Sequence, residues 1–222
     1  MTHGAAVAMR PPFPAERGMN VYNHKLAMYA FLASEVMFFG ALIGAYIILR
    51  LGAPGEWVKR GAVLNISVTA FNTFLLVTSS LWMALAHRAI ARGNQKMLRT
   101  WLGLTIVFGA AFVTIQALEY IHLMDRGLLA SGVRDGSELA GLVANGTLPA
   151  TITLYGACFY TLTGFHGFHV TCGVLSMTYL FFTKALRGKY SQQDYRGIEV
   201  VGLYWHFVDV VWIILFTIIY LI

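Results

Sequence analysis

Five long apolar runs dominate the pattern of hydrophobic and polar positions along this chain. They cover residues 26–50, 65–87, 98–123, 152–183 and 200–222. Each run is long enough to cross a hydrocarbon core of about 30 Å as a helix. The runs lack the period-two alternation of membrane strands, and an open sheet cannot satisfy its backbone in lipid. The pattern therefore predicts an all-α bundle of five transmembrane helices.

Composition and charge support a membrane protein and suggest its orientation. The chain is 58% hydrophobic and 12% charged, whereas soluble domains carry about 25% charged residues. With five spans, eleven of the sixteen Lys and Arg residues fall on the N-terminal side and five on the other. The positive-inside rule then predicts that the N-terminus is inside and the C-terminus outside. This rule accounts for the net charge of +6 better than nucleic-acid binding does, because no nucleic-acid motif accompanies the charge.

The segments outside the apolar runs are short. Residues 1–24 contain three prolines but no apolar core, so we expect a cytoplasmic arm and not a cleavable signal peptide. Residues 25–222 then form one membrane domain. The longest link, 124–151, is too small for a domain, although residues 139–145 predict a short helix. Cys158 and Cys172 lie about 21 Å apart along one predicted helix and cannot form a disulfide.

Two helices carry faces that favour contact with other helices. Small residues on helix one form Gly40-x-x-x-Gly44 beside Ala41 and Ala45, a pattern that permits close backbone approach. Helix two carries a mainly polar ridge at spacings that place its members near one face, which should point at other helices. The ridge consists of Asn65, Thr69, Asn72, Ser79, Met83 and His87.

Glu35 is the most unusual group within the first run. It lies about nine residues into the run, roughly 14 Å deep by helical rise and close to the midplane. A carboxylate at that depth must be protonated or have a buried partner. Two interpretations stay open. One is a proton-related or conformational role, and the other is a protonated side chain that bonds a neighbouring helix during assembly.

The other polar groups inside the runs are interpreted as packing positions. Glu119 and His122 lie one turn apart and predict an interfacial hydrogen-bond cluster. His206 and Asp209 lie three residues apart, close enough to pair within one helix. The full set is Asn72, His87, Glu119, His122, His166, His169, His206 and Asp209.

His166 and His169 also have a spacing that can hold a metal ion. A metal site needs at least one further ligand and acceptors behind the ligands. Candidates on other helices are His87, His206, Glu35 and Asp209. Histidines flanked by small residues more often bond across a tight helix interface, so we expect no metal site.

The sequence lacks the common motifs of enzyme active sites. It contains no nucleophile elbow, no His-Glu-x-x-His and no phosphate-binding loop. No group of residues forms a complete redox centre. We therefore assign no catalytic residue and no cofactor bound by the chain itself.

Several strings together resemble one family. Residues 204–212, Tyr-Trp-His-Phe-Val-Asp-Val-Val-Trp, and 163–170, Thr-Gly-Phe-His-Gly-Phe-His-Val, look like signatures of subunit III of the haem–copper oxidases. The best match is cytochrome c oxidase subunit III. Residues 34–39 resemble the helix that carries that family's buried, carbodiimide-reactive glutamate, here Glu35. Shorter matches at 72–73, 79–80, 86–87 and 116–120 follow in the family's order, so the resemblance covers about residues 25–222.

The resemblance implies an accessory role in aerobic respiration. Subunit III of this family holds no haem or copper, packs against subunit I, and helps to sustain proton uptake and turnover. Subunits I and II carry the redox centres, and the complex oxidises cytochrome c, reduces dioxygen to water and translocates protons. Structural phospholipid also accompanies the family. Larger members have seven helices and this chain matches the later five, a form that looks bacterial, so we expect the bacterial plasma membrane.

Other functions remain open at this point. A quinol oxidase subunit III has similar helices, and an accessory subunit of nitric oxide reductase is a third reading of the resemblance. A proton-coupled transporter that uses Glu35 belongs to a different class, as does a membrane metalloenzyme.

Overall fold

Five long helices make up most of the fold. The computed structural model describes residues 22–53, 56–59 and 61–221. The long helices are α1 (Asn23–Gly52), α2 (Ile66–Ala91), α3 (Gln95–Asp125), α5 (Ile152–Leu180) and α6 (Arg196–Phe216), and α4 (Glu138–Ala144) is short. Turns of π-helix extend α5 over Phe181–Ala185 and α6 over Thr217–Leu221. Each predicted run corresponds to one helix, but most of the predicted arm lies outside the described residues.

Local sequence explains where three of the helices begin. Asn65, Asn94 and Ser137 are the N-caps of α2, α3 and α4, and each side chain accepts a hydrogen bond from the backbone N–H three residues later. Such caps contribute about 1 kcal/mol each because they satisfy an otherwise unpaired donor. At the opposite end of α2, Gly93 has a φ of +76°, which lets the chain reverse directly into α3.

The helices pack around α6. It contacts α1, α2 and α5, and α3 contacts α2 and α5. In their most apolar windows, 50% of the α6 residues are buried but only 11% of the α1 residues. Helix α1 is therefore a peripheral helix attached to one side of a tighter four-helix group.

The two ends of the bundle differ in composition. What we call the basic end holds the α2–α3 and α5–α6 connections, with lysines and arginines at Arg88, Arg92, Lys96, Arg99, Lys184, Arg187 and Lys189. What we call the hairpin end holds the α1–α2 connection and the segment between α3 and α5. The predicted asymmetry of charge is thus also an asymmetry of the folded bundle.

Length and hydropathy mark the chain as an all-α membrane protein. Among the described helices, α1, α2, α3 and the continuous helix Arg196–Leu221 are long and apolar enough to cross a membrane. Helix α5 does not meet the same criterion, although it contains no Asp, Glu, Lys or Arg. Threonine, glycine, tyrosine and histidine lower its hydropathy, and many of these side chains are buried against other helices.

A small β-hairpin interrupts the otherwise helical fold. Strands β1 (Leu128–Leu129) and β2 (Gly132–Val133) pair antiparallel, with Leu128 opposite Val133. The hairpin rests on α5, because the carbonyl of Leu128 accepts a 2.9 Å hydrogen bond from Tyr160. The predicted short helix exists as α4, but the hairpin was not predicted, since two-residue strands carry no periodic signal.

Arg126 fastens this segment to the bundle. Its guanidinium donates to both carboxylate oxygens of Glu138 at 3.1 and 3.2 Å and to the carbonyl of Val63 at 3.2 Å. The arginine lowers the pKa of Glu138 below the ordinary value of 4.5, chiefly by hydrogen bonding. The α1–α2 connection, the end of α3 and the start of α4 are thereby joined at one point.

We expect the hairpin to loosen in acid and in Glu138→Gln. Because the folded-state pKa of Glu138 is depressed, the ion pair stabilises the segment above about pH 4.5 and is lost as the pH falls through the lower folded-state value. Backbone hydrogen exchange in residues 128–145 measures this, after correction for the intrinsic rate. Asp135→Asn is the matched control, since Asp135 has no ion pair among the described residues. Equal protection in both variants at neutral pH would contradict the prediction.

The small-residue pattern of α1 does not contact another helix within the described part of the chain. A Cβ added at Gly40 or Gly44 would meet no other atom within 4 Å. Helix α1 instead packs through Phe39 and Tyr46, its two buried apolar residues. The close approach that this pattern permits is thus not used among the described residues, because the larger side chains lie on the face that meets α5 and α6.

Candidate functional site

Glu35 and His169 join α1 to α5 in the middle of the bundle. Nε2 of His169 lies 3.1 Å from Oε2 of Glu35, and both side chains are at least 85% buried. Nδ1 of the same ring lies 2.7 Å from the carbonyl of Phe165. A carbonyl only accepts, so Nδ1 carries a hydrogen. The ring is thus oriented by its own helix and presents Nε2 to the carboxyl group.

Aromatic rings surround this pair. Phe39 meets the His169 ring edge-on with centroids 5.2 Å apart, and Phe38 meets Phe165 at 5.0 Å. The pair faces a lateral groove of about 510 Å³ between α1, α5 and α6. The groove is lined mainly by apolar and aromatic side chains, among them Phe31, Phe168 and Tyr204. The carboxyl–imidazole pair lies in this wall together with the polar side chains of Cys172, Ser176 and Tyr204.

His166, the second histidine of the predicted pair, lies apart from Glu35. Its side chain is fully buried, and neither ring nitrogen has a hydrogen-bond partner in the described chain. The ring stacks on Trp212 with centroids 4.7 Å apart and meets the edge of Phe112 at 5.9 Å. His169 therefore contacts Glu35 across the α1–α5 interface, whereas the expected bond across a helix interface is wrong for His166, which packs as an aromatic ring.

The closing motif packs α6 into α2 through its tryptophans. Nε1 of Trp205 donates to Ser79 and Nε1 of Trp212 donates to Thr73, each at 3.0 Å. Trp205 is fully buried between two glycines. A Cβ on Gly109 would lie 2.7 Å from its ring, and one on Gly173 would lie 2.8 Å from it. Gly109 and Gly173 thus form the two walls of a slot for the Trp205 ring. A side chain at either position would close the slot.

His206 and Asp209 do not pair with each other. Nδ1 of His206 lies 2.6 Å from the hydroxyl of Ser80 on α2. Asp209 is 4% exposed, and neither of its carboxylate oxygens has a hydrogen-bond partner among the described residues. The predicted intrahelical pair is wrong because Ser80 offers His206 a partner on the neighbouring helix.

Glu119 belongs to a cluster at the hairpin end, but His122 does not. Thr69 donates to one carboxylate oxygen of Glu119 at 3.0 Å, and Tyr220 donates to the other at 3.4 Å. His122 is exposed, and its side chain makes no hydrogen bond in the described part of the chain. The predicted interfacial cluster therefore exists through Glu119, with α2 and the end of α6 as its partners.

The polar ridge of α2 faces other helices, as predicted. Asn72 is fully buried and donates to the carbonyl of Phe112 at 3.2 Å. Thr69 and Ser79 are also buried, whereas His87 is half-buried and meets the ring of Tyr195 edge-on at 5.4 Å. These contacts hold α2 against α3 and α6.

The structure contains an ion pair at the basic end that was not predicted from the sequence. Lys25 of α1 contacts the carboxylate of Glu199 on α6, and Tyr22 donates to the same carboxylate at 3.2 Å. Lys25 and Glu199 are 174 positions apart in the sequence, so no local pattern indicates their pairing. Near them, Asp194 accepts from Arg196 at 3.1 Å, which lowers the pKa of this exposed carboxyl.

The described residues contain no group of three or more His, Cys, Asp or Glu side chains arranged to hold a metal ion. Cys158 and Cys172 are both free thiols. Several polar side chains instead form hydrogen bonds in pairs across helix interfaces, as His206–Ser80, Trp205–Ser79 and Trp212–Thr73 do.

Comparisons with known proteins agree with these features. The family model described as cytochrome c oxidase subunit III matches residues 12–125 and 143–222. Most of the hairpin segment and α4 lies between the two matched ranges. The chain is thus similar to the family over all five long helices, and the hairpin is an addition to the matched pattern.

Curated relatives give the same result. The chain is 33% identical over 196 residues to cytochrome c oxidase subunit 3 of Thermostichus vulcanus, covering 88% of this chain and 86% of the relative. It is 36% identical over 192 residues to cytochrome c oxidase subunit 3 of a Synechocystis strain, covering 86% and 72%. A probable cytochrome c oxidase subunit 3 of Nocardia farcinica is 34% identical over 189 residues, with 85% and 83% covered. The resemblance predicted from the sequence is confirmed, and the chain belongs to the cytochrome c oxidase subunit III family.

Proposed function

We propose that this subunit III stabilises the haem-bearing subunit I of its oxidase and sustains proton uptake, without a redox centre of its own. Membership of the family makes the chain part of a haem–copper oxidase complex, an oxidoreductase of the respiratory chain. The observation that carries the proposed role is the Glu35–His169 pair, a carboxyl–imidazole contact of 3.1 Å between two largely buried side chains of the bundle. Haem and copper reside in partner subunits.

The carboxyl group of Glu35 and the imidazole of His169 are placed so that they can share a proton. Nδ1 of His169 is occupied by its bond to Phe165. A contact between Nε2 and Oε2 at 3.1 Å is favourable only with a proton on one of the two atoms, either as a neutral acid or as an imidazolium–carboxylate pair. Either form is uncharged overall and suits this depth. This chemistry supports a site that can hold a proton beside subunit I.

We propose five membrane spans with the N-terminus inside and the C-terminus outside. Helix α5 is the fifth span, since it is as long as the others and lies beside α3 and α6. The basic end faces the cytoplasm, in keeping with the positive-inside rule. Bacterial relatives support the bacterial plasma membrane as the location.

Structural phospholipid fits a continuous groove along α5 and α6. The groove beside Glu35 shares Ser176 and Val201 with a second groove of about 620 Å³ at the basic end. Lys184 and Arg196 lie at the mouth of the second groove, together with Asp194. Cations at an interface above an apolar trough favour an anionic headgroup with its acyl chains along the trough.

Cytochrome c is the proposed electron donor to the complex. The relatives are subunits of cytochrome c oxidases, which weighs against the quinol oxidase and nitric oxide reductase alternatives. Subunit I is the direct partner and subunit II completes the redox core. A proton-coupled transporter remains a separate hypothesis, which the next experiment distinguishes.

Purification of the tagged chain in mild detergent should yield a haem- and copper-containing complex that oxidises cytochrome c. Metal analysis and optical spectra measure the redox centres, lipid mass spectrometry measures retained anionic phospholipid, and membranes with the untagged chain are the control. The chain separated from its partners should show neither bound metal nor proton flux after reconstitution. Proton flux through the isolated chain would support a transporter, and a stoichiometric metal would contradict the assignment of no cofactor.

A further inference from the structure

Three polar side chains in the core of the bundle are buried without their full set of hydrogen bonds. Asn72 of α2 and His166 of α5 are fully buried, and Gln116 of α3 is 4% exposed. Five of their atoms have no hydrogen-bond partner among the described residues: Oδ1 of Asn72, both amide atoms of Gln116 and both ring nitrogens of His166. Apolar side chains and lipid cannot satisfy such atoms, so leaving them unpaired inside a membrane is costly.

Contacts with Phe112 show that the three side chains lie together. Asn72 donates to the carbonyl of Phe112 at 3.2 Å, and His166 meets its ring edge-on with centroids 5.9 Å apart. Gln116 follows Phe112 by one turn of α3, and helical side chains lean toward the N-terminus, so its amide lies over the turn at Phe112. Trp212 of α6 closes the region, because its ring contacts Phe112 at 4.9 Å and stacks on His166 at 4.7 Å. One small region of the core therefore collects unpaired polar atoms from three helices.

We propose that ordered water binds between Asn72, Gln116 and His166. The unpaired set is mixed, since the amide nitrogen of Gln116 donates, the two amide oxygens accept, and a neutral imidazole does one of each. An anion would need donors alone and a cation acceptors alone, whereas water both donates and accepts. A buried water makes about three hydrogen bonds, which five atoms can supply. The hydroxyl of Tyr120, one turn further along α3, already pairs with Thr163 at 2.6 Å. The site goes beyond the role proposed for this subunit and does not depend on it.

A polar route connects this region to the surface at the hairpin end. Glu119 lies one turn beyond Gln116 on α3, and Thr69, which donates to it at 3.0 Å, lies one turn before Asn72 on α2. Glu119 also lines a lateral groove of about 740 Å³ at the hairpin end, together with His122. Water in the groove thus reaches Glu119 directly and continues along polar side chains into the core.

Radiolytic labelling of the oxidase in its membrane tests the site, because hydroxyl radicals formed from bound water oxidise the side chains around it. Trp212 lies against the proposed water, and Trp205 is the matched control. Both are fully buried in α6, and each indole donates at 3.0 Å to a hydroxyl of α2. We expect Trp212 to be oxidised several-fold faster than Trp205 and to acquire heavy oxygen after brief mixing with heavy-oxygen water. Equal rates at the two tryptophans would overturn the proposal and indicate a dry core in which the three polar side chains bond one another.

Removal of one partner gives a second measurement. Gln116→Leu keeps a side chain of similar size but removes two of the five unpaired atoms, so oxidation of Trp212 should fall toward the rate of Trp205. Thr114→Val is the control, since Thr114 is an exposed residue of the same helix, and it should leave both rates unchanged. Unchanged oxidation of Trp212 in a Gln116→Leu variant that still protects Trp205 would contradict the water site. If Gln116→Leu does not assemble, the comparison of the two tryptophans in the unsubstituted chain decides.

Discussion

Gly173→Val should strongly destabilise the bundle and release this subunit from its complex on mild heating. A Cβ at this position would lie 2.8 Å from the ring of Trp205, and the ring cannot retreat because Gly109 closes the other side of the slot. Overpacking in a well-filled core costs about 1–3 kcal/mol and sometimes more. Because the ring is blocked on both sides, we expect about 3 kcal/mol, which corresponds to a fall in melting temperature of about 6–12 °C.

Gly167→Val is the matched control for that prediction. It lies in the same helix, six residues earlier, and an added Cβ there meets no atom within 4 Å. Size-exclusion chromatography of heated, detergent-solubilised oxidase measures the temperature at which subunit III is lost. Similar losses in both variants would indicate that helix propensity and not the Trp205 slot controls stability.

Glu35→Gln should leave assembly largely intact and shorten the period over which the oxidase sustains turnover. The amide fills the same space and can still bond His169, but the pair can no longer store a proton. We expect the turnover lifetime to fall, because the amide keeps the size and polarity of the side chain but has no acid proton to exchange. Oxygen consumption followed to inactivation at several pH values measures the effect.

His169→Gln and the double variant separate a proton role from simple packing. If the two residues act as one unit, the double variant should inactivate at the same rate as either single variant, because the second change has nothing left to remove. Glu119→Gln is the control carboxyl, since its partners Thr69 and Tyr220 bond it for packing. A lifetime that is unchanged in Glu35→Gln at every pH would falsify the proposed role of this residue.

Much of the helical fold could be predicted from the sequence. The five runs each form one helix, and the ridge on α2 turns inward, because both features depend on periodicity along a single element. The hairpin was missed for the opposite reason. Its strands are only two residues long. Tyr160, which is distant in sequence, bonds the first strand from α5, and Arg126 at the end of α3 bonds Val63 next to the hairpin segment.

For the polar side chains of the helices, the contact partner was harder to predict than the position along the helix. The depth of Glu35 indicated that it needs a partner, but not that His169 is that partner rather than His166. The difference between the two histidines is one of rotation about α5, since one faces α1 and the other stacks on Trp212. The same holds for His206, which prefers Ser80 on α2 to Asp209 on its own helix.

The membrane class, the helices and the family follow from the amino-acid sequence, because hydropathy, helical period and the string at 204–212 are properties of consecutive residues. Three features emerge only when the helices pack: which polar groups are paired, the position of Trp205 between Gly109 and Gly173, and the place of α1 at the edge of the bundle. These outcomes depend on how helices rotate and pack against one another. A hydrogen bond or a close contact across an interface has no local signature in the chain.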